Sequence, residues 1–423
     1  MAGRSENFFE VSKVCRRARF DPMSLSSVRD FRDASEGVSL DRDAASKLLE
    51  RQAEIWTPYC LAPLIMPPRD GVGAVAMIAC PAEVDLTAAP FFYQAQFQHA
   101  ERIALMDPAT FIALGDQFNR RFDVPVMIYS TGRAGTTLVS KMFARLECCH
   151  SISEPDLHTC VQAHCPPELQ VDILRAGTKL YFQPRHKATH LVLKFRGMCV
   201  ELAPQMREAF PNVREMFLYR DAENYVRSSI QAFGYFGSPL WAIRWLHRLY
   251  VTRPLLKFGF SLNYDLMCRF FPLVADYPPR ELARLGPVGL LTLSWLSMMH
   301  RALIETRSVS EDSSETRSVS EGEAPSQPAL AHASGSDKRE FLTLRYETLM
   351  ADPRAAMERV LSHCCIPPSD VETALAALDQ DSQRGSVVGR ERRGSYELSR
   401  RDRDEIRAVL ERHPVINRPD FEL

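Results

Sequence analysis

From Val124 onward, short apolar blocks alternate with stretches of helical periodicity. "VPVMIYS" (124–130) is a continuous apolar run that breaks into small polar residues, after which Leu138, Met142 and Leu146 recur at helical spacing. "HLVLKFRG" (190–197) and "VREMFLYRD" (213–221) are further strand candidates, and "VELAPQMREAF" (200–210) and "AENYVRSSIQAF" (222–233) read as the helices after them. "REFLTLRYETL" is a last strand. "PRAAMERVLSHC" and "SDVETALAALD" carry apolar residues at i, i+3, i+4, and "LSRRDRDEIRAVLERHP" offers Ser399 as N-cap, Asp402 in the first turn and Pro414 as the stop. Strand alternating with helix predicts an α/β fold with a parallel sheet covered by helices on both faces.

The remaining pattern is less regular. Residues 1–35 are polar without clear period, and from Leu40 to Asp116 helical patches such as "FQHAERIALM" alternate with Pro-rich turns such as "TPYCLAPLIMPPRDG". The expectation is a mainly helical accessory region over 1–120, of unread role, packed on a larger unit over 121–423. "GPVGLLTLSWLSMM" (286–299) is shorter than the about 20 residues of a membrane span, so it reads as a buried core helix. "ETRSVSE" occurs at 305–311 and again at 315–321, followed by a Pro/Ala/Ser tail. Such a stretch cannot bury a core, so 306–338 is expected to be a disordered insertion ahead of the last strand.

Composition narrows the classes. The 423 residues are 45% hydrophobic and 25% charged with a formal net charge of −1. No global field recruits nucleic acid or a membrane, and any anion site must be local. The 11 cysteines include the adjacent pairs Cys148/Cys149 and Cys364/Cys365. With no secretory segment, anchor or N-x-[ST] acceptor, a reducing, cytoplasmic setting is expected.

The candidate chemistry starts at "STGRAGTTLVSKMF" (130–143). A strand, a Gly-containing loop and a helix N-terminus gather backbone N–H groups around one point, and the helix dipole adds positive potential. Gly132, Ala134 and Gly135 shape the loop, Thr136 and Thr137 bring hydroxyls, and Arg133 brings a full charge. The plain alternative is a strand–helix turn whose glycines only allow the bend. G-x-x-x-x-G-K-[ST] is absent, which weakens a Mg-ATP-dependent small-molecule kinase. Asp221 after "VREMFLYR" stands where a metal-binding carboxylate would in that reading.

These residues resemble sulfotransferases that use 3′-phosphoadenosine 5′-phosphosulfate (PAPS). "STGRAGTTLVSKMF" looks like their 5′-phosphosulfate loop, with Arg133 where the carbohydrate- and tyrosyl-protein-type branches carry arginine. The family's 3′-phosphate motif is a strand ending in Arg with Ser eight residues on, and Arg220 and Ser228 in "YRDAENYVRSSI" match it. "LRYETLMADP" (344–353) is similar to a late stretch of these proteins, so the resemblance covers roughly 122–415 apart from the insertion. It implies a P-loop three-layer fold and a metal-independent transfer of a sulfonyl group from PAPS to a hydroxyl acceptor, a carbohydrate or small metabolite. A sulfonyl group carries less charge than a γ-phosphoryl, so a cation and backbone amides can stabilise the leaving phosphate oxygen without a metal.

The resemblance also assigns further residues. Glu154-Pro155 matches a strand-end Glu-Pro whose Glu is the base in carbohydrate-type members, and Pro155 biases Glu154 toward extended backbone. His158 is the second candidate base. Lys194, at a strand end, is a candidate to face the nucleotide or an acidic acceptor. "DSQRGSVVGRERRG" (381–394) resembles the family's late basic loop, with Arg384 and Gly385 as candidates. Cysteines and histidines crowd 148–165, but without metal-site spacing, so no metal is expected. "RDA" stands where the family more often has "RDP", which leaves a non-catalytic, nucleotide-binding relative as the remaining alternative.

Overall fold

The computed structural model describes residues 9–16, 25–33, 38–39, 44, 47, 53–63, 72–117, 122–182, 188–233, 264–315, 341–379 and 395–423. Five strands form the expected parallel sheet: β7 (Val124–Ser130), β8 (Cys149–Ser153), β9 (His190–Lys194), β10 (Arg214–Tyr219) and β11 (Phe341–Arg345), in the order β11-β10-β7-β9-β8. Chain order runs outward from β7 to β8, returns to β9 and crosses to β10. The crevice above the carboxyl end of β7 is therefore the place where such sheets bind ligands.

Alternation along each strand explains the two faces. Met127, Tyr129, Leu191, Leu193, Phe217 and Phe341 point into one core. Val126, Ile128, Val192, Met216, Leu218 and Leu342 point into the other. The second core is closed by helices Thr136–Ala144, Pro353–His363 and Val371–Leu375. The first is shared with the N-terminal region and with a long helix, Pro279–Glu315.

The expected mainly helical accessory region is instead an antiparallel sheet. β1 (Phe9–Arg16), β2 (Phe31–Asp33), β3 (Val38–Ser39), β4 (Glu54–Pro63), β5 (Val72–Pro81) and β6 (Arg102–Met106) pair in the order β2-β1-β6-β5-β4, with β3 beside β1. The "TPYCLAP" stretch lies within β4 rather than in a turn. Pro58 is tolerated there because β4 is an edge strand with a register shift between Pro58 and Cys60. Trp56, Thr57, Tyr59, Cys60 and Leu61 are all buried, so the strand shows no polar alternation. "FQHAERIALM" divides into the end of helix Phe92–His99 and strand β6.

Buried polar contacts join the N-terminal region to helices of the parallel-sheet unit. The Tyr181 hydroxyl donates to the Pro58 carbonyl at 2.8 Å, and the Ser26 amide donates to the Asp156 carboxylate at 2.6 Å.

"GPVGLLTLSWLSMM" is part of the long helix as expected, with Leu293, Trp295, Leu296 and Met299 buried. Gly286, at φ 64°, and Pro287 kink its start. Among the described residues no helix is long and apolar enough to cross a membrane.

The helix continues to Glu315, which corrects the expected loop over 306–315. Extending a formed helix costs far less than nucleating one, so a polar sequence can follow a buried segment. Residues 316–338, with the second repeat copy after its first residue, lie outside the described residues. At the C-terminal end Ser399 caps helix Arg400–Leu410 in a capping box with Asp402, as the sequence predicts.

Candidate active site

β7 delivers its loop at the carboxyl edge of the sheet, and the backbone there is left-handed at Gly132 (φ 76°), Arg133 (φ 54°) and Gly135 (φ 77°). Gly135 is required twice over. Besides its φ, a Cβ would stand 2.6 Å from the Tyr346 ring, whereas at Gly132 the nearest atom would be 3.8 Å away. Gly135 caps helix Thr136–Ala144, where the Leu138 amide donates back to the Gly135 carbonyl at 2.9 Å and the Thr136 and Thr137 amides precede any helical carbonyl they could reach. Thr136 and Thr137 are buried at this start, and the Ala134 side chain packs into the core, leaving its backbone as what it can offer a ligand.

The second motif meets this loop. Arg133 Nε donates to Ser228 Oγ at 3.2 Å, and Arg220 Nη1 donates to the Arg133 carbonyl at 3.2 Å. Ser228 lies on helix Ala222–Phe233, which Asp221 caps by accepting from the Asn224 amide at 2.7 Å. Arg220 follows β10 directly, and Trp295 Nε1 holds its carbonyl at 2.9 Å. Its guanidinium lies 4.9 Å from the centre of the Tyr346 ring and its Nε stands 3.7 Å from Glu347. Glu347 is thus its ion-pair partner, while Glu223 at the start of the next helix pairs with Arg403 at 3.3 Å.

Glu154 sits at the same edge, directly after β8. Ser153 pairs with Lys194, and Lys194 with Ile128 of β7, so Glu154 is two strands from the loop strand. That is roughly 10 Å at about 4.8 Å per strand. Its φ of 58° is left-handed rather than extended, a correction to the Pro155 argument. Among the described residues the non-glycine positions with positive φ are Arg133, Glu154 and Cys365. Such backbone costs about 1–3 kcal/mol and clusters at functional sites.

Lys194 turns to Glu154. The two form an ion pair in which Lys194 is 4% exposed. Arg196 stands 3.9 Å from Glu154 and 3.1 Å from the fully buried Asp156, with its guanidinium 4.3 Å from the Tyr93 ring centre. Burial works against the Arg196 charge, but Asp156, Tyr93 and Glu154 outweigh it and hold the guanidinium above its usual range. Tyr93 and Phe91, which lies under Lys194 at 5.7 Å, come from the N-terminal region.

His158 does not join the edge. It is fully buried, stacks on Tyr181 and bonds to the Thr178 hydroxyl at 3.1 Å. Burial drives its pKa down to about 3. Trp56 and Trp295 are core residues. Arg384 and Gly385 lie outside the described residues.

Sequence reasoning missed Tyr346, Glu347, Asp156 and Arg196 as neighbours of the site. The signals were present in "RYE" after the last strand, in "EPD" after β8 and in the basic "KFR" across the end of β9.

No protein-family model and no curated protein sequence matches the chain. Among solved structures it is similar to the sulfotransferase domain from the Synechococcus PCC 7002 olefin synthase. That likeness is at 13% identity over 68% of this chain and 94% of that one, with a TM-score of 0.33. It is also similar to sulfotransferase STF9 from Mycobacterium avium, at 12% identity over 65% and 73% of the two chains, with a TM-score of 0.31. A third is the sulfotransferase domain from the curacin biosynthetic pathway, at 13% identity over 69% and 99%, with a TM-score of 0.28.

Proposed function

We propose that the protein is a sulfotransferase that moves a sulfonyl group from PAPS to a hydroxyl acceptor, a carbohydrate or a small metabolite. The observation that carries this reading is the meeting of Arg133, Arg220 and Ser228 at one helix N-terminus. Two guanidinium groups, a hydroxyl and first-turn amides suit a ligand with a phosphosulfate at one end and a separate phosphate near Arg220 and Ser228.

In this reading the acceptor oxygen forms a bond to sulfur as the bond from sulfur to the leaving phosphate oxygen breaks. Arg133 and the amides of the helix start stabilise the charge that develops on that oxygen. The acceptor proton passes to the Glu154 carboxylate, which Lys194 and Arg196 hold in place. Cationic side chains of the chain serve as the electrostatic clamp, and the mechanism assigns no role to a metal.

The test is calorimetric binding of adenosine 3′,5′-bisphosphate, with and without Mg²⁺, to the wild type and to an Arg220→Ala/Ser228→Ala variant. Metal-independent binding that the variant loses is expected. Absence of that binding, together with Mg²⁺-dependent binding of ATP, would overturn the reading in favour of a kinase. Glu154→Gln is the control for turnover once an acceptor is found.

A further inference from the structure

The proposed phosphate-binding arginine already has an anionic partner within the protein. We propose that Glu347 is the internal counter-ion of Arg220, and that it takes up one proton from solvent when a ligand phosphate engages that arginine. This rests on the sulfotransferase reading above, in which Arg220 holds the phosphate that distinguishes PAPS from a simple 5′-nucleotide.

The geometry sets up the competition. Arg220 is committed through Nη1 to the Arg133 carbonyl, its face is covered by Tyr346, and its Nε looks toward Glu347 Oε1 at 3.7 Å. Glu347 is also met by Arg345 from the end of β11, with Nε 3.3 Å from Oε2. Arg345 is itself shared with Glu422. From the end of β10 the Asp221 carboxyl and the Tyr219 phenol complete the surroundings. Among the described residues two cations therefore face three carboxylates before any ligand arrives.

A phosphate dianion added to this cluster raises the negative charge around Glu347 and draws Arg220 away from it. Both effects favour the neutral carboxyl. The side chain is 36% exposed, so the proton has a path from solvent. Glu347 is biased this way in the ligand-free protein. Burial raises its pKa and Asp221 adds to the rise, against the pull of its own backbone amide and of Arg220.

The sign follows from linkage. The form that binds phosphate best carries the extra proton. Affinity is therefore fullest at low pH and falls as pH rises, by up to about tenfold per unit for a full proton. Glu347→Gln mimics the neutral carboxyl and removes that dependence.

The experiment is titration calorimetry of adenosine 3′,5′-bisphosphate in PIPES, HEPES and Tris at one pH near neutrality. The heats of buffer ionisation give the protons exchanged, and affinities are compared between pH 6 and pH 8. Adenosine 5′-monophosphate, which lacks the second phosphate, is the control. Expected are net uptake by the wild type relative to Glu347→Gln, tighter binding by the variant above neutrality, and no such difference for the monophosphate. The same uptake in both proteins, or weaker binding by Glu347→Gln, would overturn the proposal and leave the bisphosphate site standing. If neither protein bound the bisphosphate, the sulfotransferase reading itself would fall, and this inference with it.

Discussion

Arg133 Nε donates to Ser228 Oγ across 3.2 Å, although the two residues are 95 positions apart in the chain. One belongs to the loop after β7, the other to the helix after β10, and the parallel pairing of these adjacent strands brings them to one edge. The bond ties the loop arginine to the helix that carries the second motif. Arg220, of that same motif, faces Glu347.

Left-handed backbone at Arg133 sets stability against function. Arg133→Gly relieves the unfavourable φ of 54° and is expected to leave the melting temperature unchanged or raise it. The gain is at most about 1–2 kcal/mol. In the proposed function the same change removes the clamp, and kcat is expected to fall by about 10²–10³-fold, the usual cost of losing a transition-state donor. A melting curve and a turnover assay on one preparation test both halves. A variant that is more stable and equally active would exclude Arg133 from the clamp.

Gly135→Ala drives a methyl group to 2.6 Å from the Tyr346 ring and forces alanine to φ 77°. Loss of bisphosphate binding and a clear drop in melting temperature are expected. Adding Tyr346→Ala removes the clash but not the backbone strain, so the double variant recovers only part of the stability and remains about 1–2 kcal/mol short on that account. Full recovery would show that the left-handed turn is unimportant.

Glu154 and Lys194 are expected to respond differently. Glu154→Gln keeps the shape and some hydrogen bonding, and it removes turnover with little change in bisphosphate affinity. Lys194→Met strips Glu154 of the closer of its two cationic partners, since Arg196 remains at 3.9 Å. Breaking such a buried pair costs on the order of 3 kcal/mol, so the second variant loses stability as well as activity. Chemical denaturation alongside single-turnover kinetics separates the two outcomes.

His158 makes stability depend on pH. Its pKa is about 3 in the folded protein and about 6.5 when unfolded, so the unfolded chain binds the proton more readily. The stabilisation is fully present above about pH 6.5 and is lost as pH falls toward 3, at up to about 1.4 kcal/mol per unit. Urea unfolding at several pH values should show this slope, and His158→Asn should reduce it. An unchanged slope would mean that other groups carry the acid sensitivity.

The parallel sheet was legible because its signals are local. Continuous apolar runs mark strands buried on both faces, and Leu138, Met142 and Leu146 mark one side of a helix. Ser399 caps a helix through atoms within three residues of it, so a sequence pattern suffices. β4 was not legible. Its prolines imitate turns, its buried face and buried back erase alternation, and only its place at an edge makes Pro58 acceptable. Helix Pro279–Glu315 similarly extends beyond what the polar repeat suggests, because a buried upstream segment nucleates it.

The sequence by itself determined the make-up of the loop: two glycines, an arginine between them, a helix start behind, and Arg220 and Ser228 at matched spacing. Tertiary structure alone decided what surrounds those residues. Tyr346 lies against Gly135 and Arg220, Glu347 faces Arg220, and Lys194 and Arg196 flank Glu154 with aromatic rings from the N-terminal region behind them. The reason is physical. Capping, turn geometry and periodicity act within a few residues, whereas ion pairs and ring contacts between distant segments follow from strand order and register, which no local pattern encodes.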